Sequence, residues 1–342
     1  MYPVAVGPLQ KPAPKARPMP LTDLSHEELL SFRPEVQEPA DFDAFWARTL
    51  SEARAAGGVP ELTPAETPVT QLVVDDLVFP GFGGEPVRAW VSRPLEADGP
   101  LPAVVQYQGY GGGRGLAGEN VSWALAGYVH VFVDTRGQGS GWGSGGDTPD
   151  PHGSGPATPG VMTRGIHSPE TYYYRRVFTD AVRAVDAVRE LPFVDASRIA
   201  VTGGSQGGGI ALAAAALSDG VAAAMPDVAF LCAFRRGVEV AVGGPYQEIA
   251  TYLSVHRDQV ADVFRTVSYF DGVNFARRIH VPSLFSVALM DTVVPPSTTF
   301  AAYNHLAAED RAIEVYPFND HEGGGHLQWR TQAAWLAARF LR

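Results

Sequence analysis

The stretch Arg198–Leu217, RIAVTGGSQGGGIALAAAAL, decides how the rest of the chain is read. It opens on a short apolar run, Ile199–Thr202, and closes on an alanine-rich run of helical composition, Gln206–Leu217. A serine sits among glycines between them. Gly203-Gly204-Ser205-Gln206-Gly207 fits G-x-S-x-G, where a serine occupies a sharp strand-to-helix turn and the glycines relieve crowding around its strained backbone. A helix starting at Gln206 also aims backbone N–H groups at the serine, which suits a developing oxyanion. The same five residues also read as a glycine-rich turn with an incidental serine. The strand–turn–helix context favours a nucleophile, and the rest of the chain has to supply its partners.

Outward from the motif, the stretch after Pro102 alternates buried strands with helices, as a mostly parallel sheet requires. Strands are predicted at Ala103–Gln108, Val129–Asp134, Ile199–Thr202, Val221–Met225, Ser283–Ala288 and Ile313–Tyr316. Helices are predicted at Val121–Ala126, Tyr172–Leu191, Gln206–Leu217, Ser297–Leu306 and Gln328–Phe340. Upstream, Val69–Phe79 and Pro86–Val91 read as strands around the turn-rich PGFGGE. From Leu21 to about Ala56 the pattern is helical, with Phe42, Phe45, Trp46 and Leu50 as its apolar stripe. Residues 1–20 are proline-rich and read as a flexible or extended lead-in. Residues 21–342 then read as one α/β-hydrolase domain: a mostly parallel central sheet flanked by helices, with an N-terminal helical and antiparallel extension. Residues 139–169 form a Gly/Pro-rich inserted loop, well beyond the ~12–15 residues of an ordinary connection. Trp142, Met162 and Ile166 within it signal packing, with another subunit as one candidate surface.

In the α/β-hydrolase order, an acid and then a histidine follow the serine, each on a loop leaving a later strand. LFSVALMDTVVPP ends a predicted strand at Asp291, and IEVYPFNDHEGGGH carries His321 just beyond another. His321 would take the proton of Ser205 and return it to the leaving alkoxide, while Asp291 would orient the imidazole and stabilise its cation. His326 is the rival base, but it falls at the start of the final helix rather than on the strand exit. A second oxyanion donor is expected after an earlier strand. In VVQYQGYGGGRG the backbone N–H of Tyr110 can meet that of Gln206. Arg136-Gly137-Gln138 follows a strand and reads as a polar brace beneath the site or as a surface turn.

Competing motifs are weaker. Gly113-x-Gly115-x-x-Gly118, with Asp134 ending the next strand, matches a dinucleotide fingerprint, but its glycine turn does not directly follow the strand. HEGGGH does not supply zinc spacing, because HExxH places its histidines at i and i+4 on a helix. Neither a metal nor an organic cofactor is expected. Asp227 and Asp320 flank the site without a forced role, and the single cysteine, Cys232, lies in an apolar run and reads as core. The net charge of −11 and two lysines argue against nucleic-acid binding. No stretch approaches the ~20 apolar residues of a membrane span, and a cytoplasmic location is the expectation.

Together these residues resemble carbohydrate esterase family seven, the acetylxylan esterases and cephalosporin C deacetylases. The family's RGQ motif, GxSQG elbow and HE pair stand here as Arg136-Gly137-Gln138, Gly203-Gly204-Ser205-Gln206-Gly207 and His321-Glu322. The likeness extends through LTDLSHEELLSFRPEVQEPADFDAFW, DTRGQGSGW, FRTVSYFDGVNFARRI and MDTVVPPSTTFAAYN, from about Pro18 to Arg342. It implies a triad of Ser205, Asp291 and His321, with the N–H groups of Tyr110 and Gln206 as oxyanion hole. It further implies removal of acetyl groups from short xylo-oligosaccharides and cephalosporin C, and a hexameric ring whose sites face an internal cavity. A peptidase or longer-chain esterase on the same fold, and a non-catalytic binding or scaffold protein, are the alternatives to be separated.

Overall fold

The computed structural model describes residues 23–153 and 155–341. The proline-rich lead-in of residues 1–20 lies outside the described residues. Strands β1 (Glu61–Pro64), β2 (Leu72–Pro80), β3 (Pro86–Pro94), β4 (Leu101–Tyr107), β5 (Val129–Val133), β6 (Val194–Gly204), β7 (Ala223–Asp227), β8 (Ser283–Ala288) and β9 (Arg311–Tyr316) share one sheet. Its order is β1-β2-β3-β5-β4-β6-β7-β8-β9. Strands β1 to β3 pair antiparallel and join β5 antiparallel, while β5, β4 and β6 to β9 run parallel. The chain steps from β4 outward to β5 and then back across to β6. The loops leaving β4 and β6 therefore diverge and open a crevice at the carboxyl ends of the strands.

Helices α1 (His26–Ser31), α2 (Phe42–Ala55), α3 (Ser122–Leu125), α4 (Tyr173–Arg189), α5 (Gln206–Leu217), α6 (Phe234–Val240), α7 (Tyr246–Val255), α8 (Val260–Ser268), α9 (Gly272–Ala276), α10 (Pro296–His305) and α11 (Gly325–Phe340) complete the fold. Alternation along the strands divides the core between the two faces. Val105, Val201, Ala224 and Phe285 pack with Phe178 of α4 and Ile210 of α5. Their neighbours Val104, Ala200, Met225 and Leu284 pack with Trp123 of α3 and with Leu336 and Phe340 of α11. Small side chains let α5 lie close: a Cβ at Gly209 would stand 2.2 Å from the Phe230 carbonyl oxygen.

Three readings of the sequence need correction. The helical pattern across Leu21–Ala56 is two helices, interrupted where Pro34 and Pro39 lack the N–H a helix needs and disfavour helical backbone before them. Strand β1 was not expected; it is short and mostly exposed, without apolar alternation. Helices α6 to α9 fill a stretch that carried no assignment, although Val260, Val263, Phe264 and Val267 in α8 keep i, i+3, i+4, i+7 spacing. The long loop packs on its own chain. Met162 and Ile166 join the main core, whereas Trp142 is half exposed at 53%. Among the described residues no helix is long and apolar enough to cross a membrane.

Candidate active site

The serine turn is built as its glycines require. Ser205 has φ 57° and ψ −119° between β6 and α5, a backbone state that costs an L-residue about 1–3 kcal/mol. Three backbone hydrogen bonds hold it there. Its N–H donates to the Asp227 carbonyl at 2.9 Å, and its carbonyl accepts from Gly209 at 3.1 Å and from Phe230 at 3.0 Å. A Cβ at Gly203 would lie 2.5 Å from the Gly207 carbonyl carbon, and one at Gly207 would lie 2.2 Å from the Tyr107 carbonyl oxygen. A larger residue at Gly207 would force the elbow away from β4, and one at Gly203 would push the first turn of α5 away from the end of β6.

Asp291 and His321 come together from the loops after β8 and β9. His321 Nδ1 stands 2.8 Å from Asp291 Oδ2. Oδ1 of the buried Asp291 accepts the N–H groups of Val293 and Val294, each at 2.8 Å, so the carboxylate cannot swing away. Asp320 fastens the two loops to each other by accepting the Thr292 N–H at 3.0 Å. Glu322 accepts from the Asn319 side chain inside the His321 loop. His326 is the second residue of α11 and is exposed.

Ser205, His321, Tyr110, Trp142 and Asp227 line one cavity of about 550 Å³ at the carboxyl ends of the strands. Among the described residues no hydrogen bond joins the Ser205 hydroxyl to His321. Gln206 opens α5, and its buried side chain works as a strut. Its Oε1 accepts from Tyr174 Oη and Gln138 Nε2, both at 2.9 Å, and its Nε2 donates to the Gln108 carbonyl at 3.2 Å. Gln138 Oε1 accepts the Gly111 N–H at 2.7 Å, which ties the loop after β4 to the first residue of α5. Arg136 lies deeper, forked onto Asp180 at 2.5 and 2.8 Å and paired with Glu85 at 2.5 Å. Asp150 bridges Arg176 at 2.8 Å and Arg136 at 3.6 Å, fastening the long loop to this brace. Gly137 turns the chain between Arg136 and Gln138 with φ 67°.

A family model described as acetyl xylan esterase (AXE1) matches residues 19–339. The chain belongs to the acetyl xylan esterase family. The acetyl esterase Axe7A of Xylanibacter ruminicola is 26% identical over 339 residues, spanning 91% of this chain and 71% of that protein. The acetyl xylan esterase from Paenibacillus sp. R4 is 38% identical with a TM-score of 0.87, covering 92% of this chain and 99% of that one. Acetyl xylan esterase 1 from Thermoanaerobacterium sp. JW/SL YS485 is 32% identical with a TM-score of 0.84, again covering 92% and 99% of the two chains. This member of the acetyl xylan esterase family is thus an acetyl ester hydrolase, a carboxylic ester hydrolase of the serine esterase type.

Against that family the competing motif dissolves. Asp134, the would-be ribose acid, spends its carboxylate on the N–H groups of Arg114, Thr135, Asp147 and Thr148, which clamps the long loop to β5. Asp227, to which the sequence assigned no role, lines the cavity and accepts from Gln328 Nε2 at 2.9 Å and Gln332 Nε2 at 2.8 Å. Burial pushes its carboxyl up to about 7, against the pull of those hydrogen bonds. It anchors α11, whose first turn follows the His321 loop directly. Gln328 and Glu248 were missed altogether, because the cavity residues they bind, Asp227 and Tyr110, lie 101 and 138 residues away in sequence and no local pattern marks them.

Proposed function

We propose that Ser205 is the nucleophile, His321 the general base and acid, and Asp291 the residue that orients and charge-stabilises His321. The backbone N–H groups of Tyr110 and Gln206 form the oxyanion hole. The observation that carries this reading is the 2.8 Å pair of His321 with a pinned, buried Asp291, sharing a cavity with a serine on a strained elbow. With Nδ1 committed to Asp291, the His321 Nε2 is left to accept the Ser205 proton as Oγ attacks the acetyl carbonyl carbon. That contact tightens when substrate fills the cavity. Negative charge then builds on the carbonyl oxygen beside the two N–H donors and the N-terminus of α5. Collapse of the tetrahedral intermediate breaks the bond to the alcohol oxygen, which takes the proton from His321. Water, deprotonated by His321, attacks the acetyl-enzyme and releases acetate with Ser205 restored.

The substrates proposed are acetylated sugars, xylo-oligosaccharides foremost, with the acetoxymethyl group of cephalosporin C as a second type. A lining that mixes Gln108, Asp227, Glu322 and Gln328 with Tyr110, Trp142, Pro245 and Val293 supports a small apolar acyl group and a hydroxyl-rich alcohol. The family resemblance supports a homohexamer, placed in the cytoplasm as part of the same proposal. Ser205→Ala should abolish acetate release from p-nitrophenyl acetate with circular dichroism unchanged. Across a series of p-nitrophenyl esters, kcat/KM should fall steeply beyond acetate. A preference for long acyl chains or for peptide amides would instead support the longer-chain esterase or the peptidase.

A further inference from the structure

The loop after β4 carries the proposed oxyanion donor, yet its sequence, Gln108-Gly109-Tyr110-Gly111-Gly112-Gly113, gives the backbone little stiffness of its own. Its main chain is held on one side by Trp142, whose Nε1 donates to the Tyr110 carbonyl at 2.7 Å. On the other side the Gly111 N–H donates to Gln138. The third hold is the Tyr110 side chain. Its hydroxyl donates to Glu248 Oε1 at 2.6 Å and accepts the Val161 N–H at 2.6 Å. The other carboxylate oxygen, Glu248 Oε2, accepts the Met162 N–H at 3.1 Å. Three chain segments thus meet at one half-buried carboxylate: the loop after β4, the end of the long loop, and α7. The fit is close, since a Cβ at Gly160 would stand 2.2 Å from Glu248 Oε1.

We infer that Glu248 is a positioning residue for catalysis, fixing through the Tyr110 hydroxyl where the Tyr110 backbone N–H points. This rests on the assignment of that N–H to the oxyanion hole. Glu248 itself lies on α7 and acts at second hand. Its removal leaves both the Tyr110 hydroxyl and the Met162 N–H without their acceptor, and the glycine-flanked backbone is then free to drift. A drift of about 1 Å at a reacting group costs roughly 10²-fold in rate, and loss of an oxyanion donor costs about 10²–10³-fold in kcat. Because the donor acts on charge that develops in the transition state, the loss falls on kcat rather than on KM.

The test is steady-state hydrolysis of p-nitrophenyl acetate by Glu248→Ala, Glu248→Gln, Tyr110→Phe and the double variant Glu248→Ala/Tyr110→Phe, with thermal unfolding followed alongside. Glu248→Ala should lower kcat roughly 10- to 100-fold with KM held within about twofold. Glu248→Gln keeps an acceptor for Tyr110 and should recover most of that loss. Tyr110→Phe should match Glu248→Ala, and the double variant should be no worse than either, because the two groups act as one unit. A Glu248→Ala enzyme with wild-type kcat, a rise in KM alone, or losses that simply multiply in the double variant would each overturn the inference. If Glu248→Ala does not fold, Tyr110→Phe, which removes a single oxygen, decides by the same kcat and KM criteria. Ser205→Ala run in parallel separates the two levels. Full kcat in Glu248→Ala beside an inactive Ser205→Ala removes only the role of Glu248, whereas a working Ser205→Ala removes the reading beneath it.

Discussion

The Ser205 elbow and the loop after β4 face each other across one cavity, and they are held in place in different ways. The elbow is held by backbone. Its strained serine lies between the strand and helix that make the turn, its main chain is hydrogen-bonded to Asp227, Gly209 and Phe230, and close approaches at Gly203 and Gly207 shape it. The loop after β4 is held from a distance, by Gln138, Trp142 and Glu248, residues 27, 32 and 138 positions away from their partners in the chain. A site of this kind tolerates few side chains at the first region, while the second depends on a distributed set of polar contacts.

The largest effect is expected at Gly207. Gly207→Ala pushes a methyl group to within 2.2 Å of the Tyr107 carbonyl, so β4 and the elbow must part. Turnover should drop by at least about 10²-fold, measured as kcat on p-nitrophenyl acetate. Near-normal turnover would mean that the elbow is not sterically locked. A smaller effect on turnover and a large one on stability is expected from Arg136, the buried brace of the second region. Arg136→Met leaves the Asp180 carboxylate buried without its cation and should cost about 3–5 kcal/mol in urea unfolding. Equal stability of the two proteins would show that the fold does not depend on this brace.

The same contrast explains what could be read from the sequence. The elbow, the strands that carry Asp291 and His321, and the individual strands of the mostly parallel sheet were legible because each is written in a short run: a glycine cluster, an apolar strand, a polar residue on its exit. The role of Arg136 as a buried brace was half legible, since its position after a strand was clear but Asp180, Glu85 and Asp150 were not. The α6–α9 segment was missed as a whole. Its helices are short, and α6 and α7 are broken from each other by Gly243, Gly244 and Pro245, so the helical spacing of Tyr246, Ile249, Ala250 and Leu253 in α7, like that in α8, spans only about two turns. Glu248 lies within that segment, and nothing local to it points to Tyr110. Trp142, Met162 and Ile166 marked the long loop as packed, with another subunit as one candidate surface; Met162 and Ile166 join this chain's own core, a partner that no local pattern could name.

Ser205, activated by His321, is the residue we propose to carry the acyl group. Incubation with a fluorophosphonate followed by peptide mapping by mass spectrometry tests this most directly. One adduct per chain is expected, on the peptide that holds Ser205, with labelling lost in His321→Ala. An adduct on a different serine, or continued turnover of acetyl esters by an enzyme fully modified elsewhere, would contradict this assignment.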